Sequence, residues 1–237
     1  MKTNKNIIYI AVIAIILIIV VIFALFNKKT KTVNNSPINN NVSTKTIEFS
    51  ETEKPYISLT PRTDGHMLKL KIENIPSSVT SIEYELIYTA VDKTTKLEME
   101  KGVGDTVKNV TKTVEKDLLL GTESCTNGCK YAYDEGITGG TLTLNFNTKD
   151  GQVSFNSSFA LTSSADIKIK GLALPTENLA ISATTTTKSD FFVLIKNLKS
   201  VYSVFSNGTG AGKINSITPN TVTKENTNSL VGDYLIQ

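Results

Sequence analysis

From Glu48 onward, apolar and polar residues alternate with a period of two. Leu68, Leu70 and Ile72 interleave with Lys69, Lys71 and Glu73, and Ile82, Tyr84, Leu86 and Tyr88 interleave with Glu83 and Glu85. Each run predicts a strand with one face on a core and the other in water. Leu142, Leu144 and Phe146 repeat the pattern, and Val153, Phe155, Phe159 and Leu161 share one parity. Between these two runs stands Asn147-Thr148-Lys149-Asp150-Gly151, and Asp-Gly supplies the positive φ angles that a tight hairpin needs. Strands at this spacing, with no helical period between them, predict an all-β ectodomain, an antiparallel Ig-like or fibronectin-like sandwich over residues 48–164. The mark of an antibody domain, a Cys pair joining two sheets around a Trp, is missing: there is no Trp, and the two Cys stand four positions apart.

Residues 165–237 have a different texture. Ile167-Lys168-Ile169, Leu179 to Thr187 and Phe191 to Ile195 read as strands, the last apolar enough to be covered on both faces. A segment this short with so few apolar residues is marginal alone, so it is expected to pack on the first domain or form a smaller second β domain.

The N-terminus breaks the period altogether. Ile7 to Phe26 contains no charge and no Asn, Gln, Ser, Thr, Gly or Pro. As a helix this run is about 30 Å long, the hydrocarbon thickness of a bilayer, and it predicts a transmembrane helix at 7–26 after a short tail at 1–6. The run is longer than the h-region of a cleavable signal peptide and lacks a small-x-small site, so it is expected to remain as a signal anchor. Residues 27–47 are rich in Asn, Thr, Ser and Lys without an apolar period, and predict a flexible linker. Lys2 and Lys5 on one flank face Lys28, Lys29 and Lys31 on the other, so the positive-inside rule nearly ties. The size of the domain then decides for a cytoplasmic N-terminus and an extracytoplasmic C-terminal domain at the cell membrane.

Charge changes this picture little. The net charge of +3 comes from the N-terminal region, because residues 1–47 hold six Lys and no acid, leaving 19 basic against 22 acidic groups beyond them. A mildly acidic ectodomain offers no basic stripe for nucleic acid.

Candidate chemistry is sparse. Cys125-Thr-Asn-Gly-Cys129 can close a disulfide across a turn, and outside the cytoplasm such a pair is oxidised. With His66 as the single histidine, the cysteines do not complete a four-ligand zinc site. A sortase-like cysteine transpeptidase would use a His, a downstream Cys and an Arg. His66 and Cys125 fit that order, but Arg62, the only arginine, precedes the histidine, and Cys129 would capture the nucleophile. Asp134-Glu135 could serve a hydrolase or a calcium ion, although a solvated turn before Gly139-Gly140 accounts for it. Gly102 and Gly104 read as turns, since no phosphate-binding loop surrounds them. The residues thus call for no catalytic set, no metal and no cofactor. The expected contact loop comprises Tyr131, Tyr133, Asp134 and Glu135, because rigid sandwiches place recognition on their end loops.

The runs Leu118-Leu-Leu-Gly-Thr-Glu-Ser-Cys125, Asp134-Glu-Gly136, Gly140-Thr-Leu-Thr-Leu-Asn-Phe146 and Thr60-Pro-Arg-Thr-Asp-Gly-His66 resemble those of uncharacterised membrane-anchored proteins from small-genome bacteria of the candidate phyla radiation. The likeness spans roughly residues 55–165. It implies a bacterial envelope location and carries over no catalytic residue. The expected function is a cell-surface binding, adhesion or envelope-structural module with a protein or glycan ligand. The alternatives are a membrane-tethered enzyme of the sortase-like type and an accessory subunit of a secretion or pilus system.

Overall fold

The structure, a computed structural model, describes residues 45–185 and 187–237. The tail at 1–6, the expected helix at 7–26 and the linker up to residue 44 lie outside the described residues. Among the described residues no helix is long and apolar enough to cross a membrane. The described residues form one compact unit.

Its frame is an eight-stranded antiparallel sheet. In spatial order the strands are β15 (Val222–Thr223), β16 (Gly232–Ile236), β13 (Tyr202–Ser206), β12 (Phe191–Lys196), β9 (Gln152–Ser163), β8 (Gly139–Thr148), β3 (Val79–Val91) and β4 (Glu98–Lys108). A three-stranded sheet, β1 (Tyr56–Pro61), β2 (Met67–Glu73) and β5 (Thr113–Leu119), faces one side. A second, β10 (Leu172–Leu174), β11 (Leu179–Thr185) and β14 (Gly212–Thr218), belongs to the other. The hairpin of β6 (Gly121–Ser124) and β7 (Lys130–Tyr133) completes the set.

Two hydrophobic cores follow from this arrangement. Leu59, Leu70 and Leu118 meet Leu86, Phe146 and Phe159 in the first, and Leu174, Ile181 and Ile167 meet Leu194, Tyr202 and Tyr234 in the second. Side chains alternate across a strand, so one strand can feed both. On β12, Val193 and Ile195 enter the first core while Phe192 and Leu194 enter the second, and all four are fully buried. On β9, Phe159 and Leu161 serve the first and Ala160 the second. Because β9 pairs with β12, the sheet is continuous across residue 164, and residues from the C-terminal segment fill part of the first core.

The alternating runs at 68–72, 82–88, 142–146 and 153–161 all lie in strands, with their apolar members buried. The Asp150-Gly151 turn joins β8 to β9, Thr148 N–H reaching Gly151 O at 2.9 Å. The end of the expected linker is docked rather than free: Ile47 N–H donates to Gln152 O, and Ile47 and Phe49 pack on the first core.

Two expectations need correction. Ile167-Lys-Ile169 is not a strand but part of helix α1 (Ser164–Lys170). Ser163 caps it by accepting from the Asp166 N–H, and Gly171 ends it at φ 71°. Helical residues two apart point about 200° from each other, so Ile167 is buried while Ile169 is 82% exposed; a strand would have put both on one face. Gly102 and Gly104 are not turns but lie within β4. A Cβ on Gly104 would come within 2.6 Å of the Tyr84 carbonyl oxygen, which explains glycine there.

Asn197, in the turn after β12 and 2% exposed, fastens the first small sheet to the large one. Its Nδ2 donates to Ile57 O at 2.7 Å and its Oδ1 accepts from Ile57 N–H at 3.3 Å and Leu198 N–H at 2.9 Å. Removing it strands a buried backbone donor and acceptor. Asn197→Ala is therefore expected to lower unfolding free energy by about 2–4 kcal/mol in urea titration, with one cooperative transition retained. An unchanged midpoint would show that the two sheets do not depend on this link.

Candidate functional site

The site builds from two hairpin tips at one end of the unit. The first is the β1–β2 turn. Gly65 adopts φ 70°, its N–H donates to Arg62 O at 2.9 Å, and Arg62 N–H returns to Met67 O at 2.8 Å. The Arg62 guanidinium forks onto Asp64, Nη2 reaching Oδ2 at 2.6 Å and Nε reaching Oδ1 at 3.1 Å. Asp64 Oδ1 also accepts the His66 N–H at 3.0 Å. The Arg62 hydrogen bonds, aided by that amide, hold the Asp64 carboxyl well below its ordinary value, at about 2. The turn is thereby locked, and with it the direction in which His66 leaves the chain.

The second tip is the β6–β7 hairpin. Glu123 faces Tyr131 and Thr122 faces Ala132 across it, and Cys125 is bonded to Cys129 with Cα atoms 4.1 Å apart. Leu120, fully buried, roots the hairpin: its N–H donates to His66 O and its carbonyl accepts from Asp134 N–H, both at 3.0 Å. These bonds bring the two tips together. The His66 ring stacks on Tyr133 at 4.3 Å and 5°, and Tyr131 lies parallel to Tyr133 at 6.1 Å and 8°. Tyr131 is 48% exposed. Glu123, close to the Tyr131 hydroxyl, raises that group above its usual value.

The four residues expected in the contact loop therefore divide. Tyr131 and Tyr133 form the stack. Asp134 turns inward: Oδ2 accepts from the Tyr88 hydroxyl at 2.9 Å and Oδ1 from Lys101 Nζ, leaving the side chain 10% exposed. Burial, and then this carboxylate, push the Tyr88 hydroxyl strongly upward. Glu135 points elsewhere, to Lys93 at 3.1 Å with both groups more than half exposed. Asp134 is thus a structural acceptor rather than part of a solvated turn, and the two carboxylates do not converge as an acid–base or calcium pair would require.

Beside the stack opens a cleft of about 770 Å³. His66 and Thr138 stand on its walls with Thr141 and Asp166, and Phe159 and Phe191 supply apolar surface. Its acidic residues are engaged: Asp64 with Arg62, Asp134 with Lys101, Glu135 with Lys93 and Asp166 with Lys170 at 3.7 Å. The rest of its wall offers hydroxyls, backbone, ring faces and the Lys170 ammonium.

The cysteine chemistry is constrained by the same hairpin. Cys125 carries a disulfide, so its sulfur is not available as the thiolate that a transpeptidase nucleophile must be. Glu123, Cys125 and Cys129 offer atoms within 4.8 Å of one another, but with the sulfurs bonded together only the Glu123 carboxylate remains as an anionic ligand. The stack has no signature in the sequence, because His66 and Tyr133 are far apart in the chain. Only the β2–β5 register, with Leu68 opposite Leu118, brings them to one end.

No family model matches the chain, and neither a curated protein nor a solved structure matches it.

The Asp64 lock is open to measurement. Its folded pKa lies below the unfolded value, so the pairing contributes above pH 4 and is lost as pH falls toward 2. Carbon-detected NMR titration is expected to give an Asp64 midpoint near 2, returning toward the ordinary aspartate value in Arg62→Ala. Equal midpoints in the two proteins would mean that Arg62 does not hold the turn.

Proposed function

We propose that this chain is a membrane-anchored, extracytoplasmic binding module of a bacterial envelope. In this reading residues 7–26 form the single-pass anchor and residues 27–44 the spacer. An Ig-like sandwich built on residues 48–164 and completed by Val193 and Ile195 of β12 presents the β6–β7 hairpin to a protein or glycan at the cell surface. The observation that carries it is the parallel stack of His66, Tyr133 and Tyr131, half-open to solvent and held from both sides.

Such rings supply contact area at low entropic cost, since few torsions must be frozen on binding. The supports beneath them are fixed in advance: the disulfide closes the hairpin, Leu120 roots it, and the Arg62–Asp64 fork holds the neighbouring turn. A surface pre-shaped in this way fits recognition better than a structural spacer would. The bacterial envelope setting comes from the sequence resemblance, and the outward orientation from the size of the domain behind the anchor.

The test is retention of the purified protein on isolated bacterial envelopes and on arrays of envelope polysaccharides. Wild-type protein is expected to be retained. Tyr131→Ala/Tyr133→Ala should lose at least tenfold in apparent affinity, and Cys125→Ser/Cys129→Ser a smaller amount, with melting of the main unit nearly unchanged. Retention of the double-alanine protein at the wild-type level would remove the stack from the contact surface. No retention of the wild type on any such material would overturn the reading.

A further inference from the structure

The two edges of the large sheet are unlike. β15 is two residues long, whereas β4 runs for eleven and pairs with β3 along its whole length without a bulge. Among the described residues no strand pairs with the outer side of β4. It contains no Pro, and Gly102 and Gly104 leave its centre free of bulk. A long, regular, unbulged edge is the kind of surface that recruits another strand, and proteins that stay single usually disrupt it.

The sequence of this edge also specifies which strand fits. Two copies related by a two-fold axis through the sheet normal pair antiparallel, and only registers in steps of two residues keep facing side chains on one side. Centred on Val103, the pairing sets Val103 against Val103, Met99 against Val107, Gly102 against Gly104, Lys101 against Asp105 and Glu98 against Lys108. Apolar residues meet apolar ones, glycines meet glycines, and each of these charges meets its opposite. A shift of one step either way puts Asp105 against Met99 or Val103. A shift of two puts Lys101 against Lys101 or Asp105 against Asp105, and facing like charges are destabilising.

From this self-complementarity we infer that β4 is a homodimerisation edge, where a second copy of this chain adds its own β4 in the Val103-centred register. The two eight-stranded sheets then become one. Lys101 already holds Asp134, so in the dimer it bridges Asp134 and the partner copy's edge, while Glu98 and Lys108 form new pairs. Exposed pairs of this kind fix register more than they add affinity. Backbone hydrogen bonds along roughly 35 Å of strand and the Met99–Val103–Val107 apolar strip supply the attraction. The inference is independent of the proposed aromatic contact surface.

Cysteine scanning of the full-length chain, with its native disulfide intact, tests it. Val103→Cys is expected to cross-link with itself under mild oxidation, giving a dimer on non-reducing gels that reductant abolishes. Met99→Cys and Val107→Cys should each stay monomeric alone and cross-link when mixed, which provides a second reading if the half-buried Val103 site proves sensitive. Glu98→Lys in the Val103→Cys background should slow cross-linking at least threefold, and adding Lys108→Glu should restore it. Two results overturn the proposal: a Val103→Cys thiol that labels with maleimide yet stays monomeric while the mixed pair also fails, or Met99→Cys cross-linking alone as fast as Val103→Cys.

Discussion

The pairing of β9 with β12 is the constraint on which the rest of this structure depends. Both strands have neighbours on either side within the sheet and a core on each face at the positions where they meet. Such strands must be apolar at both parities, and Phe192-Val193-Leu194-Ile195 satisfies that demand with four consecutive buried side chains. Each contributes about 1.5–3 kcal/mol by leaving water, and the contributions are split evenly between two cores. The first core is therefore incomplete without residues that follow position 190. The C-terminal segment obtains burial that its own apolar content could not provide, by using the opposite face of a sheet that already exists.

The same constraint explains what the sequence could and could not disclose. Strands that bury one face announce themselves by alternation, and those at 68–72, 82–88, 142–146 and 153–161 are where the pattern puts them. The continuous apolar run at 191–195 is legible as a strand covered on both sides, yet nothing local says that its second cover comes from β10, whose Leu172 and Leu174 share the second core with Phe192 and Leu194. Strand β4 is silent for the opposite reason. Lying at an edge, it alternates Lys101, Val103 and Asp105 on one parity, and a period with no uniform chemistry gives no signal. Helix α1 is hidden in the sequence because Ile167 and Ile169 suit a strand in isolation. Its identity rests on the caps at Ser163 and Gly171, where local hydrogen bonding outweighs a weak preference of two β-branched residues.

The candidate site was legible only as a list of residue types. Tyr131 and Tyr133 share a face because residues two apart on a strand must, so their parallel rings follow from β7 alone. The third ring does not. His66 joins them because β5 hands the chain to the β6–β7 hairpin beside the β1–β2 turn, through hydrogen bonds at Leu120 that no spacing rule reveals. Asp134 illustrates the converse: its neighbour Glu135 is solvated, and only the tertiary positions of Tyr88 and Lys101 turn one of two adjacent acids into a buried acceptor.

That acceptor links the two surfaces of the molecule. Tyr88 belongs to β3 and Lys101 to β4, facing residues on neighbouring strands, and Asp134 follows immediately on β7. One carboxylate thus joins the aromatic hairpin to the outermost pair of strands in the large sheet. With both oxygens occupied and little solvent access, losing either partner would leave a charge or a phenol poorly compensated, so the three groups hold or fail together. A hairpin of two four-residue strands is not stable by itself in water. Here the covalent closure at its tip, the Leu120 root and the Asp134 foot restrict it at three separate points, and its rings can keep a fixed orientation while remaining open to solvent. Rigidity at an exposed aromatic surface therefore arises from buried polar bonding beneath it rather than from burial of the rings themselves.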